Sequence, residues 1–146
     1  MTQENKDLLL KDLCARFAYG LKVSEFFPTT KIWTRPKDCM DVGPYYILKH
    51  PERTKPFLRP MSSMTEEERN EYLDVKMQEC ERVALAEVYR PEAISIVFDW
   101  LNAHHFDYRG LIEKGLAIEA PEGMYEIAQT VCNPQKQTDT ENLKNA

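Results

Sequence analysis

The sequence predicts an α+β domain, a small and mostly antiparallel sheet of about three or four short strands packed against about four helices. Three observations carry this prediction. Apolar residues recur at helical spacing near the start of the chain and again through residues 66–103. Between them Pro28, Pro36, Pro44, Pro51 and Pro56 cut residues 21–59 into short extended pieces, because proline sits in neither helix interiors nor central strands. Finally, 146 residues with 42% hydrophobic content suffice for one cooperative core and leave little room for two. The expected organisation is a single domain over 1–132 and a polar, disordered tail over 133–146.

The first helix is expected over 6–17, with Leu9, Leu10, Leu13, Cys14 and Phe17 on its buried face and Lys11, Asp12 and Arg16 opposite. Gly20 ends it. A helix this short is marginal alone in water, so its leucines must dock. Strands follow at 21–27, 31–34, 45–49 and 56–59, with turns at Gly43, Pro44 and at 50–55. Thr65 and Glu68 form a capping box, and Glu66 and Glu67 add acids that suit the helix dipole. The helix they open should reach residue 89 and bury Tyr72, Leu73, Val75, Met77, Cys80, Val83, Ala84 and Val88.

Residues 91–125 are the densest apolar and aromatic run, and the rest of the chain is expected to pack around them. Pro91 suits the first turn of a helix whose face is Ile94, Val97, Phe98 and Leu101, widened by Ala93, Ile96 and Trp100. Asp107 reads as the cap of a second short helix that stops at Gly115. Pro121, Glu122 and Gly123 have the order of a tight turn, giving either a hairpin between 116–120 and 124–127 or a loop followed by a helical turn.

Charge is unevenly spread. The net charge is -5, yet residues 31–59 hold seven Lys or Arg against three acids and residues 65–92 hold four against nine. Four cysteines, Cys14, Cys39, Cys80 and Cys132, are spaced as neither a zinc knuckle nor a redox pair and read as free thiols. A start without a basic segment leading into an apolar core, and the lack of any apolar run of membrane-spanning length, place the protein in the cytoplasm.

Catalytic signatures are missing. Ser62, Ser63 and Ser95 lie outside any nucleophile elbow, five scattered glycines make no phosphate loop, and the acids at 66–68 are explained by a helix start. His104, His105 and Asp107, with Asp99 earlier and His50 far away, are the nearest approach to a metal cluster. Adjacent histidines at a helix end diverge, so one imidazole is expected to cap helix carbonyls and the other to be solvated. No catalytic residue, metal or cofactor is assigned.

Three phrases occur together: DLLLKDLCARFAYGLKV, KPFLRPMSSMTEEER and WLNAHHFDYRGLIEKGLAIEAPEGMY. They resemble an uncharacterised family of small proteins from gut Bacteroidales genomes, prophages and phages, and cover about half the chain; 24–50 does not match. The resemblance implies a short intracellular, phage-associated protein and transfers no catalytic residues.

The function expected is therefore a noncatalytic protein-interaction protein, an accessory or modulator encoded on mobile DNA that binds a protein partner or a second copy of itself. Surplus apolar surface motivates it, with Trp100, His104, His105, Phe106, Tyr108 and Arg109 as the candidate partner-binding residues. The alternative is nucleic-acid binding by Lys31, Trp33, Arg35, Lys49, Arg53 and Lys55, which mix phosphate contacts with a stacking surface. A second route to nucleic acid is a winged helix built from the last two helices and the hairpin.

Overall fold

The computed structural model describes residues 1–85 and 95–125, apart from the side chains of Val83 and Leu85. The chain forms an α+β domain, as its pattern predicts. Helix α1 (Gln3–Arg16) opens on Thr2, whose hydroxyl accepts from the Asn5 N–H, and its final 3-10 turn ends at Gly20 in the left-handed region. Its buried residues are Leu9, Asp12, Leu13 and Arg16. They obey helical spacing, but the face is turned by roughly 80°, at ~100° per residue, from the one its apolar residues alone suggest. Asp12 and Arg16 lie inside and Cys14 outside.

Strands β1 (Lys22–Phe27), β2 (Ile32–Trp33), β3 (Lys37–Asp38) and β4 (Thr54–Leu58) form antiparallel pairs around β1, which has β4 on one side and β2 and β3 in succession on the other. Val23 opposite Pro56, with Leu58 beyond, faces the main core. Residues 45–49 are not a strand. They belong to helix α3 (Pro44–Lys49), which follows the single turn α2 (Cys39–Val42). Pro44 at the first helical position after Gly43, whose φ is 95°, starts a helix that the β-preference of two tyrosines and an isoleucine does not override. Only Ile47 of α3 is buried.

The sheet is mixed, because β5 (Ile118–Glu119) joins β4 in parallel, Phe57 beside Ile118. No hairpin forms within the described residues; 121–125 is a turn closed by the Met124 N–H on the Pro121 carbonyl. The crossover between β4 and β5 carries helices α4 (Glu66–Leu85) and α5 (Ile96–Ala103). The capping box of α4 forms as its sequence requires: the Thr65 hydroxyl accepts from the Glu68 N–H, and Glu68 accepts from the Thr65 N–H. Helix α5 starts one turn later than expected, on Ser95, whose hydroxyl accepts from the Phe98 N–H; Pro91, Ala93 and Ile94 lie outside the described residues, as do Val88 and 126–146, including the expected tail.

Two cores result. Leu9, Leu13, Leu21, Val23, Cys39, Ile47, Leu58, Leu111, Leu116 and Ala117 unite α1, the sheet and the 111–117 segment. Trp100, Leu101 and Phe106 form the second, flanked by Met64, Tyr72, Val75, Val97 and Tyr108. Among its described side chains, helix α4 is partly buried along one narrow line, Glu68, Tyr72, Val75 and Glu79. Leu73, Met77, Cys80 and Ala84 are exposed, and so is Phe98 of α5, all expected inside. After α5 the chain makes successive turns rather than a second helix, because Gly110 and Gly115 both take positive φ and break it.

Candidate functional site

The densest cluster of polar and aromatic side chains lies where the end of α1 meets residues 105–112. His105, with φ 60°, reverses the chain after α5 so that its carbonyl accepts from the Arg59 N–H while the Asp107 N–H donates to the Arg59 carbonyl. That seats Phe106 fully inside. Arg16, also fully buried, donates Nε to Asp12 Oδ2 at 2.9 Å, Nη2 to Asp12 Oδ1 at 3.0 Å, and Nη2 to the Phe106 carbonyl at 2.7 Å. Arg109 brings a second guanidinium within 3.7 Å of Asp12, and both arginines lie over the Tyr108 ring. Burial pushes the Asp12 carboxyl up against the opposing pull of Arg16 and Arg109. Asp107 uses both carboxylate oxygens on the Leu111 and Ile112 N–H groups, so it caps a turn where a helix was expected.

On the other side of Phe106, Arg59 stacks at 4.3 Å over its ring and donates twice to Glu68 at 2.8 Å. Burial acts to raise Glu68, but the Arg59 donors and the Thr65 N–H outweigh it and hold the carboxyl below its usual range. His104 donates its Nδ1–H to the Trp100 carbonyl at 2.8 Å and stacks on the indole at 4.0 Å, as the expected cap of helix carbonyls. His105 is not solvated: it is buried against Tyr125 at 3.8 Å, and desolvation, with Arg16 nearby, lowers its pKa to about 3. Tyr125 donates to the Phe57 carbonyl, accepts from the Lys22 N–H, and is pushed up by burial.

No protein-family model, curated protein or solved structure matches this chain. What its side chains can do is therefore read from geometry.

The six residues expected to meet a partner do come together, around Phe106, but largely as an internal wall. Trp100, His105 and Phe106 are buried, while His104, Tyr108 and Arg109 are partly exposed. Phe98, stacked on Tyr108 at 5.3 Å, is the large apolar side chain of this region that stands exposed. The potential metal ligands point apart: His104 to Trp100, His105 to Tyr125, Asp107 to its turn, Asp99 to the Tyr19 hydroxyl, and His50 to Glu52. Among the described residues no three His, Cys, Asp or Glu side chains gather to hold a metal.

The basic candidates are spread over several elements, from the ends of β2 through α3 to β4. Lys31, Arg35 and Lys49 are exposed; Trp33 packs on Phe26 and lies 5.0 Å beneath the Lys55 ammonium; Arg53 is partly buried in the turn before β4. The turns at 107–115 remove the recognition helix that a winged helix needs.

Sequence reasoning missed Asp12, Arg16, Arg59, Glu68 and Tyr125 as members of the cluster. The signal for the first pair was present: an acid and a base four residues apart, in register with Leu9 and Leu13, can neutralise each other and enter a core. Arg59 and Tyr125 join through long-range pairing that no local pattern encodes.

Proposed function

We propose that the protein is a small noncatalytic interaction protein, an accessory or modulator encoded on mobile DNA of a bacterial host. One observation carries this reading: large apolar side chains stand in solvent on structured elements, with Tyr45 of α3 78% exposed, Met77 of α4 64% and Phe98 of α5 52%. The ionisable groups of the central cluster, by contrast, are engaged in holding α1, β4 and the 105–112 turns together. Among the described residues no helix is long and apolar enough to cross a membrane, so those side chains are not part of such a span.

The test is site-specific photocrosslinking in the host, with a benzophenone amino acid at Tyr45, Met77 or Phe98 and at exposed Glu113 as control. The reading expects adducts of defined mass from one or more apolar positions and none from Glu113. Three apolar positions without adducts would refute it.

Nucleic-acid binding is the second reading, favoured by the ammonium of Lys55 held over Trp33 beside exposed Lys31 and Arg35. It expects salt-sensitive retention on heparin and a shifted DNA or RNA band, both abolished by charge reversal at Lys49, Arg53 and Lys55. Unchanged retention in that triple variant would remove it.

A further inference from the structure

The outward face of α4 holds more than scattered apolar residues. Asn70, Leu73, Met77, Cys80 and Ala84 are all exposed and follow one another at spacings of three and four, the repeat of a coiled-coil seam. At ~100° per residue this line lies about 150° round the helix from Tyr72 and Val75, which pack on α5. The two stripes occupy nearly opposite sides of one 20-residue helix. The domain therefore fixes the helix from behind while its seam faces solvent, which removes the cost of helix formation that handicaps short isolated coils.

The residues flanking the seam select the occupant. In heptad terms Asn70, Met77 and Ala84 are a positions, and Leu73 and Cys80 are d positions. The e positions are then Glu67, Asp74 and Glu81, all acidic, while the g positions Arg69 and Lys76 are basic; each of these five is exposed. In a parallel pair g meets the following e′ of the partner, so Arg69 meets Asp74 and Lys76 meets Glu81 of the second copy. An antiparallel pair sets g against g′ and e against e′ and brings like charges together. A polar Asn at a single a position is the other device that selects a parallel, in-register dimer.

We infer that two copies of this chain pair in parallel through α4, along Asn70, Leu73, Met77, Cys80 and Ala84. This rests on the reading of the chain as an interaction protein and names a second copy as its partner. The seam is short, and its later positions are small, so association is expected to depend on concentration and on the four g–e′ ion pairs.

The test joins sedimentation velocity, from micromolar to sub-millimolar protein, with cross-linking by a short bismaleimide. The chain used carries Cys14→Ser and Cys132→Ser, which leaves Cys80 as the exposed thiol and Cys39 in the core. Parallel pairing brings each Cys80 against its counterpart, so a dimer of doubled mass should form and Cys80→Ser should abolish the link. Lys76→Glu and Glu81→Lys should each weaken dimerisation at least tenfold alone; their equimolar mixture should restore it, as should the double variant. Circular dichroism and thermal unfolding at low concentration, unchanged in all of these, separate lost pairing from lost fold. A chain that sediments as a monomer throughout, a dimer in which Cys80 does not link, or a dimer indifferent to both charge reversals would each overturn the proposal. Photocrosslinks from Tyr45 or Phe98 to other proteins would in those cases leave the broader interaction reading standing.

Discussion

Helices α1 and α4 break the amphipathic rule in opposite directions. Helix α1 takes Asp12 and Arg16 wholly out of water, whereas α4 leaves Leu73 and Met77 about half or more exposed. The first departure is largely compensated within the chain: the guanidinium chelates the carboxylate and reaches the Phe106 carbonyl through Nε and Nη2, leaving Nη1 without a partner among the described residues. For the second, the chain supplies no apolar cover among the described residues. Charge buried with its partner belongs to the fold; apolar surface left exposed on α4 is what the proposed pairing of two copies would cover.

The contrast can be broken most forcefully at Arg16. Arg16→Met leaves Asp12 buried without its main partner and should cost roughly 3–5 kcal/mol in denaturant unfolding. Adding Asp12→Leu should return most of that loss, because removing both charges also removes their desolvation. If Arg16→Met cost less than ~1 kcal/mol, the pair would have to be hydrated and α1 packed differently. In the second core, Trp100→Ala should cost about 3 kcal/mol, since the indole packs on Tyr72 and Phe106. A loss below ~1 kcal/mol would place that ring at the surface and revive it as a partner residue.

A smaller effect is expected from acid. With its folded pKa near 3 and an ordinary unfolded value near 6.5, His105 is neutral in the fold and binds its proton when the chain unfolds. Stability therefore falls as pH drops from 6.5 toward 3, by about 1.4 kcal/mol per unit, or roughly 2 kcal/mol between pH 6 and 4.5. His105→Asn, which tolerates the same positive φ, should flatten that slope. Glu68, held below its usual range, loses its contribution only in stronger acid, and Asp12, raised, acts in the opposite sense. An identical slope in wild type and His105→Asn would exclude the histidine as its source.

The least effect on the fold is expected on α4. Leu73→Asp together with Met77→Asp should shift monomer stability by less than ~0.5 kcal/mol, in contrast to any change at Arg16.

These two helices also mark what the sequence could disclose. Local rules located α1, β1, β4 and α4, and they predicted the Thr65 capping box and Gly20 terminator, because each depends on residues a few positions apart. They failed at residues 45–49, where Pro44 decides for helix, and at 108–115, where two glycines forbid one. Helix rotation was the deeper failure. Hydrophobic periodicity assumes that charge lies outside and grease inside; α1 violates that by pairing Asp12 with Arg16, and α4 by leaving Leu73 and Met77 exposed. The same assumption turned His105 outward and left Arg59 and Tyr125 unnoticed, although backbone pairing around β4 brings Arg59 to Phe106 and His105, and Tyr125 packs on His105 and donates to the Phe57 carbonyl.

The most direct measurement is the thermal midpoint of the unmodified chain as a function of its own concentration, under reducing conditions. If α4 pairs with a second copy, mass action stabilises the folded state and Tm climbs steadily as protein is added, while Leu73→Asp/Met77→Asp stays level. A wild-type Tm that is the same at every concentration, and equal to that of the double variant, would contradict self-pairing through the exposed face of α4.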